Sequence, residues 1–160
     1  MDCVDTSVAA RFRQMRALAG VRLALRRSPI QGFGVFARVR LEAGTMLMEY
    51  RGQLIRHSVA DIREERYAAA RAGDYMFSLE NGRIVDATHA GSGARFVNHC
   101  CEPNCETRLV TVAGARRIVI VAKRAILPGE ELAYDYKFPL DDHCKIPCHC
   151  GAKRCRGRMN

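Results

Sequence analysis

Asn98-His99-Cys100-Cys101-Glu102-Pro103-Asn104-Cys105 is the stretch on which the reading of this chain turns. It joins an amide and an imidazole to cysteines, directly after Arg95-Phe96-Val97, which reads as buried. Two later stretches complete it: Tyr134-Asp135-Tyr136 sets two phenols close together, and Cys148-x-Cys150 with Cys155 offers three thiolates. Such a set suits a protein that holds a polar cofactor, lines a narrow channel with aromatic rings and fastens its C-terminal segment with zinc. Taken alone, an Asn-His pair in a core is usually satisfied by backbone groups. Neighbours in an extended segment point to opposite faces, so His99 and Cys100 do not meet as a nucleophile pair, and a cysteine hydrolase is set aside.

Zinc takes four ligands, with thiolates at about 2.3 Å. Cys148, Cys150 and Cys155 supply three, Gly151 permits the reversal between them, and Cys101, Cys105, Cys144, His143 and His149 are the candidates for the fourth. A closed four-ligand site of this kind is structural. The chain has 8 cysteines in all, and clustered cysteines in a reducing compartment more often bind metal than form disulfides. The chain therefore reads as intracellular. Residues 1–30 carry arginines and no apolar core, unlike a signal peptide. No run approaches the ~18 apolar residues of a membrane span, so no membrane role is expected.

At 160 residues the chain has room for one domain with a proper core and a small appendage. Lys+Arg 26 against Asp+Glu 17 gives a formal net charge of +9, which favours DNA, RNA or a nucleosome as partner, although solubility accounts for it equally well. A recognition helix with base-reading residues is lacking, which argues against a dedicated DNA-binding domain.

Thr6 or Ser7 caps a first helix with Val8, Phe12, Met15 and Ala19 on one face and Gly20 as its stop. From Val21 to Leu54 the pattern is β-like, with a strand broken at Gly52. Ser58 with Asp61 resembles a capping box opening a helix to Ala72, ended by Gly73. Tyr75–Leu79 and Arg83–Asp86 form a hairpin around Asn81-Gly82, and Thr107–Val112 with Arg117–Ala122 a second one at Gly114. Ile118-Val119-Ile120-Val121 is apolar on both faces and reads as a buried strand. Many short strands with one or two helices make a mainly β fold.

Gly32-Phe33-Gly34-Val35-Phe36-Ala37 formally fits a dinucleotide fingerprint, but no helix follows it, so that reading is set aside. Its glycines still let backbone approach a ligand closely. Tyr50, Tyr75, Phe77, Tyr134 and Tyr136 form an aromatic group, and Tyr134 and Tyr136 share a face if residues 130–136 are extended.

Placed in order, these segments resemble the SET domain of the trithorax/MLL class of histone lysine methyltransferases, from about Arg22 to Asn160. The resemblance is carried by Arg27-Ser28-Pro29-Ile30-Gln31-Gly32-Phe33-Gly34, Glu49-Tyr50-x-Gly52, Tyr75-Met76-Phe77, Asp86-Ala87-Thr88 and Ala94-Arg95-Phe96-Val97-Asn98-His99. It continues through Gly129-Glu130-Glu131-Leu132, Tyr134-Asp135-Tyr136-Lys137-Phe138 and the post-SET signature Pro147-Cys148-His149-Cys150-Gly151-Ala152-x-x-Cys155-Arg156.

The resemblance implies a β-clip-like fold of short twisted sheets with a pseudoknot at the active site. Its divisions would be a flanking helix (1–20), a SET domain (21–138, with a helical insert at about 58–72) and a post-SET zinc segment (139–160). It implies S-adenosylmethionine bound by Ile30, Gln31, Phe33, Tyr75, Asn98, His99 and His149, and structural zinc held by Cys101, Cys148, Cys150 and Cys155. Tyr136, Tyr134 and Tyr50 would be catalytic, with Phe77 and Tyr134 lining the substrate channel. The implied activity is methylation of histone H3, at lysine 4, mainly to the monomethyl state, by a nuclear chromatin enzyme. Its partners would be the nucleosome and an accessory complex of WD-repeat and SPRY-domain proteins bracing the insert, where Arg63, Glu64 and Tyr67 match. The other reading is a SET-like module that binds histone or nucleic acid without catalysis. The chain departs from the pattern at Cys100, where the family has Ser. A thiol bonds more weakly than a hydroxyl and makes the neighbouring zinc more oxidation-sensitive.

Overall fold

Alternating apolar residues and tight glycine turns give mostly short strands in the computed structural model, which describes residues 7–79, 82–140 and 145–160. The chain divides into two units, one combining residues 1–48 and 96–160, the other 49–95.

In the first unit, helix α1 (Val8–Arg22) starts at Ser7, whose hydroxyl accepts the Ala10 N–H at 3.1 Å. Thr6, the other capping candidate, lies outside the described residues. Phe12 and Met15 are buried against Met46, Val119 and Val121. The helix passes the expected stop at Gly20 and ends at Arg22. A lone helical glycine costs only about 1 kcal/mol relative to alanine, and the helix yields where Leu23 begins pairing with Ala37. Strands β1 (Leu23–Arg27) and β2 (Phe33–Ala37) then form an antiparallel hairpin, with Gly32 at φ 50 in its turn.

β3 (Met46–Tyr50), β9 (Ala115–Ala122) and β8 (Cys105–Val112) make a three-stranded sheet with β9 central. Ala113 and Gly114, both at positive φ, turn β8 into β9 as a two-residue hairpin connection does. Ile118, Val119, Ile120 and Val121 are all at most 2% exposed, as a strand apolar on both faces should be. The short β7 (Asn98–His99) pairs in parallel with β10 (Ala133–Tyr134), setting Asn98 beside Ala133 and His99 beside Tyr134.

In the second unit, β6 (Arg83–Asp86) lies between β4 (Gln53–Arg56) and β5 (Met76–Ser78), all antiparallel. Glycine is required at the break, because a Cβ on Gly52 would lie 2.3 Å from the Asp86 carbonyl oxygen. Asn81 of the expected turn is outside the described residues, and Gly82 has φ 65. Helix α2 (His57–Ala69) differs from expectation at both ends. Its N-cap is Arg56 with no side-chain bond, and Asp61 pairs with His57 Nδ1 at 3.1 Å instead of completing a box with Ser58. Its end comes before Gly73: the Ala72 N–H reaches Tyr67 O at 2.9 Å and the Arg71 N–H reaches Ala68 O at 3.0 Å, with Arg71 left-handed at φ 51. That is a Schellman closure with arginine in the usual glycine place.

Asp86, 2% exposed, anchors this unit. Its carboxylate accepts from Arg63 Nη1 at 2.7 Å, the Tyr67 hydroxyl at 3.0 Å and the Thr88 N–H at 2.9 Å. Burial pushes its pKa up, but the Arg63 and Thr88 bonds outweigh burial and hold it below the usual carboxylate value. Among the described residues no helix is long and apolar enough to cross a membrane.

Candidate active site and metal centre

The β1–β2 turn and β7 meet through Asn98. Its Nδ2 donates to Glu131 Oε1 at 2.7 Å, to Ser28 Oγ at 3.1 Å and to the Phe33 carbonyl at 3.1 Å, with Gln31 O at 3.4 Å. Ser28 Oγ lies 2.8 and 2.9 Å from the two Glu131 oxygens and accepts the Ile30 N–H at 2.9 Å. Gly34 makes the arrangement possible, since a Cβ there would sit 2.1 Å from Glu131 Oε1. The close approach that the glycine turn allows is therefore to this carboxylate. Buried Asn104 stitches the same region from behind, donating to Glu131 O at 2.8 Å and accepting the Ala133 N–H at 2.9 Å.

Ser28, Glu131 and Asn104 were not singled out as site residues from sequence. Ser28 precedes a proline and reads as a turn residue. Glu131 was quoted within the motif Gly129-Glu130-Glu131-Leu132 but given no role; as an acidic residue it also enters the apolar run Leu132-Ala133.

His99 is 2% exposed, and both ring nitrogens are engaged. Nδ1 accepts the Tyr136 N–H at 3.1 Å, and Nε2 lies 3.5 Å from Cys101 Sγ. Burial lowers its pKa, assisted by Arg156 and opposed by Asp135, which favours the neutral ring. The Tyr136 hydroxyl donates to Val97 O at 3.0 Å. The Tyr136 ring lies 4.9 Å from that of Tyr134 and 5.3 Å from that of His99, so the two tyrosines do meet on one side.

Cys101, Cys148, Cys150 and Cys155 place their sulfurs within 4.8 Å of one another. Thiolates at 2.3 Å from a tetrahedral zinc would be about 3.8 Å apart. Cys101 Sγ is 3.7 Å from that of Cys148 and 3.9 Å from that of Cys155, so the cluster is compatible with zinc. Backbone N–H groups already point at the sulfurs: Arg156 at Cys101 and Gly157 at Cys155, each 3.4 Å away. Burial raises the Cys150 thiol, yet backbone donors from Cys101 and Ala152 and the neighbouring thiols outweigh it and bring it down to about 6. Of the other candidates, Cys105 is fully buried in β8, where burial pushes its thiol to about 12, and His143 and Cys144 lie outside the described residues.

The tail is closed on itself by the Cys148 N–H to Gly157 O at 3.1 Å and the Met159 N–H to Ile146 O at 2.9 Å. It is latched to the body by Arg154 on Glu102 and Arg156 on Asp135, at 2.8 and 2.9 Å. Cys100 donates its backbone N–H to Tyr134 O at 3.1 Å, and burial raises its half-buried thiol to about 11.

Ile30, Gln31, Asn98, His99, Tyr136, Pro147, Cys148, His149 and Met159 line one open cleft. Phe33, 42% exposed, offers its carbonyl to Asn98 while its ring packs edge-on against Phe96 at 6.1 Å. Tyr50, Tyr75 and Phe77 gather within the second unit. The Tyr50 hydroxyl donates to Tyr75 O at 2.9 Å, and the Tyr50 and Phe77 rings are 5.4 Å apart.

The chain matches the SET domain model over residues 32–137. It is 47% identical over 157 residues to histone-lysine N-methyltransferase TRX1 of Oryza sativa subsp. japonica, covering 97% of this chain and 15% of that protein. Histone-lysine N-methyltransferase trithorax of Drosophila melanogaster is 46% identical over 153 residues, 96% of this chain and 4% of that protein. Histone-lysine N-methyltransferase, H3 lysine-4 specific, of Cryptococcus neoformans is 44% identical over 152 residues, 93% and 10% respectively. The chain thus spans a small part of the relatives it matches. With the family model covering most of its length and relatives 44–47% identical over nearly the whole chain, the chain belongs to the SET-domain family.

Proposed function

We propose that this domain is an S-adenosylmethionine-dependent protein lysine methyltransferase acting on histone H3 at lysine 4, chiefly to the monomethyl state. One observation carries the reading: Asn98, His99, Tyr136 and the cysteine-bound tail, distant in sequence, line the same cleft. Its lining suits a nucleoside joined to a charged amino acid. Ile30, Pro147 and Met159 offer apolar surface for a base, the β1–β2 turn and Asn98 offer polar groups, and Tyr136 offers a ring face for positive charge.

Ile30, Gln31, Phe33, Asn98, His99 and His149 would hold the cofactor, which supplies a methyl group activated by a cationic sulfur. His99 would do so through its backbone, since its ring nitrogens bond within the fold. The imidazole is thereby removed as a general base, and deprotonation falls to the environment of the lysine. A lysine amine of reference pKa about 10.4 must lose its proton before it can attack. The paired rings of Tyr134 and Tyr136 favour the neutral amine by excluding water. Tyr136, oriented by its bond to Val97 O, would align amine and methyl, and alignment supplies much of the rate. Tyr134 would crowd the amine and limit repeated transfer. The roles of Tyr50 and Tyr75 and the channel role of Phe77 rest on the family resemblance alone.

Zinc held by Cys101, Cys148, Cys150 and Cys155 would fix one wall of the cleft. The histone reading is supported by the names of the relatives. It carries with it a nuclear, chromatin location and an accessory complex of WD-repeat and SPRY-domain proteins. Nucleic acid would be met indirectly or through the basic surface.

Radiolabel transfer from S-adenosylmethionine to recombinant H3, with accessory proteins present, tests the reading. Transfer is expected for the wild type, a loss of about a hundredfold or more for Tyr136→Phe, and di- and trimethyl product for Tyr134→Phe. An unchanged product distribution in Tyr134→Phe would remove the role given to Tyr134.

A further inference from the structure

His99 sits between two parts of the site that the proposed chemistry treats separately, the thiol cluster and the tyrosine segment. A backbone N–H can only donate, so the bond from Tyr136 N to Nδ1 requires that Nδ1 carry no proton. In a neutral imidazole the hydrogen then resides on Nε2, which faces Cys101 Sγ at 3.5 Å. Among the described residues, the carboxylate paired with this ring does not disturb the assignment. Asp135 Oδ1 lies 3.6 Å from Nδ1 but is occupied by Arg156 at 2.9 Å and the Lys137 N–H at 3.1 Å.

We infer that His99 is a positioning residue that couples the metal centre to Tyr136, its Nε2–H donating to the Cys101 thiolate while its Nδ1 holds the Tyr136 backbone. The inference rests on the zinc reading and is independent of which lysine is methylated. Its physical content is mutual support. A metal-bound thiolate is a charged acceptor that fixes the tautomer and ring plane, and the fixed ring in turn presents Nδ1 to the chain at Tyr136. Loss of the metal frees the Cys101 sulfur to move and loosens its hold on the ring. Other N–H donors reach the cluster, but those of Arg156 and Gly157 belong to the tail itself. His99 instead lies on β7, which pairs with β10 two residues before Tyr136.

The test uses cobalt(II) in place of zinc, with the sulfur-to-metal absorption bands as readout, and amide hydrogen exchange at Tyr136. The wild type is expected to show a tetrathiolate spectrum and faster Tyr136 exchange once the metal is stripped. His99→Asn keeps an acceptor near the Nδ1 position and loses the donor to sulfur. It is expected to bind cobalt at least about tenfold more weakly, with shifted bands. His99→Gln keeps a donor near the Nε2 position and is expected to hold cobalt better than the Asn variant while exchanging Tyr136 faster than wild type. Ring nitrogen spectra of the wild type give a measurement that needs no variant: hydrogen on Nε2 is expected, and hydrogen on Nδ1 overturns the inference. A wild-type spectrum with unchanged affinity and bands in His99→Asn also overturns it while leaving the zinc reading intact. Absence of a tetrathiolate spectrum in the wild type overturns both.

Discussion

The two units are held by different kinds of bond. The cleft-bearing unit depends on single polar side chains that join segments far apart in the chain: Asn98 to Ser28 and Glu131, Asn104 to the strand at Ala133, His99 to Tyr136. The unit of residues 49–95 uses nearer partners, with a small apolar cluster of Ile55, Ala60 and Ile84 and one buried carboxylate, Asp86, on Arg63 and Tyr67. Sites assembled from distant segments need directional bonds with few alternatives, whereas a locally closed element can rest on packing and one charge.

The largest effect should come from the metal. Chelation, or Cys155→Ser, should speed amide exchange across residues 145–160 and at Tyr136, and weaken S-adenosylmethionine binding by about a hundredfold or more. Exchange at β4–β6 should be unaffected. Equal loosening of both units on chelation would break the comparison.

Asp86→Ala should do the reverse. It removes the shared acceptor of the Tyr67 hydroxyl, the Thr88 N–H and Arg63, which keeps Gln53, at about 3 kcal/mol in a denaturant titration, with exchange rising in residues 49–95. Because the folded pKa of Asp86 is depressed, its contribution is complete above the unfolded value of about 3.9. It is lost as pH falls through the lower folded value. The second unit should therefore show an acid-induced loss of stability that Asp86→Ala abolishes.

Gly34→Ala sharpens the contrast at smaller cost. A methyl 2.1 Å from Glu131 Oε1 must displace the carboxylate that holds Asn98. An overpacking loss of about 1–3 kcal/mol is expected in the same titration, with weaker cofactor binding by calorimetry. Smallest of all, Ile62→Ser on α2, 53% exposed, should change stability by under about 0.5 kcal/mol.

How much of this was legible from sequence follows the same division. The β8–β9 hairpin was readable because Gly114 marks the turn and the apolar run of β9 admits only a buried strand. Cys148, Cys150 and Cys155 announced a clustering of thiols by type and spacing, and the resemblance named Cys101, whose sulfur lies with theirs. What sequence did not reveal was the long-range polar stitching. Ser28, Asn104 and Glu131 stand in the quoted motifs, but their bonding partners are hidden until β7 and β10, two residues each, bring their segments together. Strands that short carry no periodicity. The ends of the helices were misjudged for a local reason. Gly20 and Gly73 were read as stops, but strand pairing at Leu23 ends α1 and the left-handed Arg71 ends α2.

The central claim is that the cleft lined by the tail, the Asn98-His99 pair and Tyr136 binds S-adenosylmethionine. Calorimetric titration of the zinc-loaded domain with that cofactor, in parallel with a sample stripped of metal, tests it most directly. The account predicts one-to-one binding that disappears on stripping and is weakened by substitution at Asn98. Binding unchanged by metal removal and by Asn98→Ala, or no binding to the loaded domain, would contradict it.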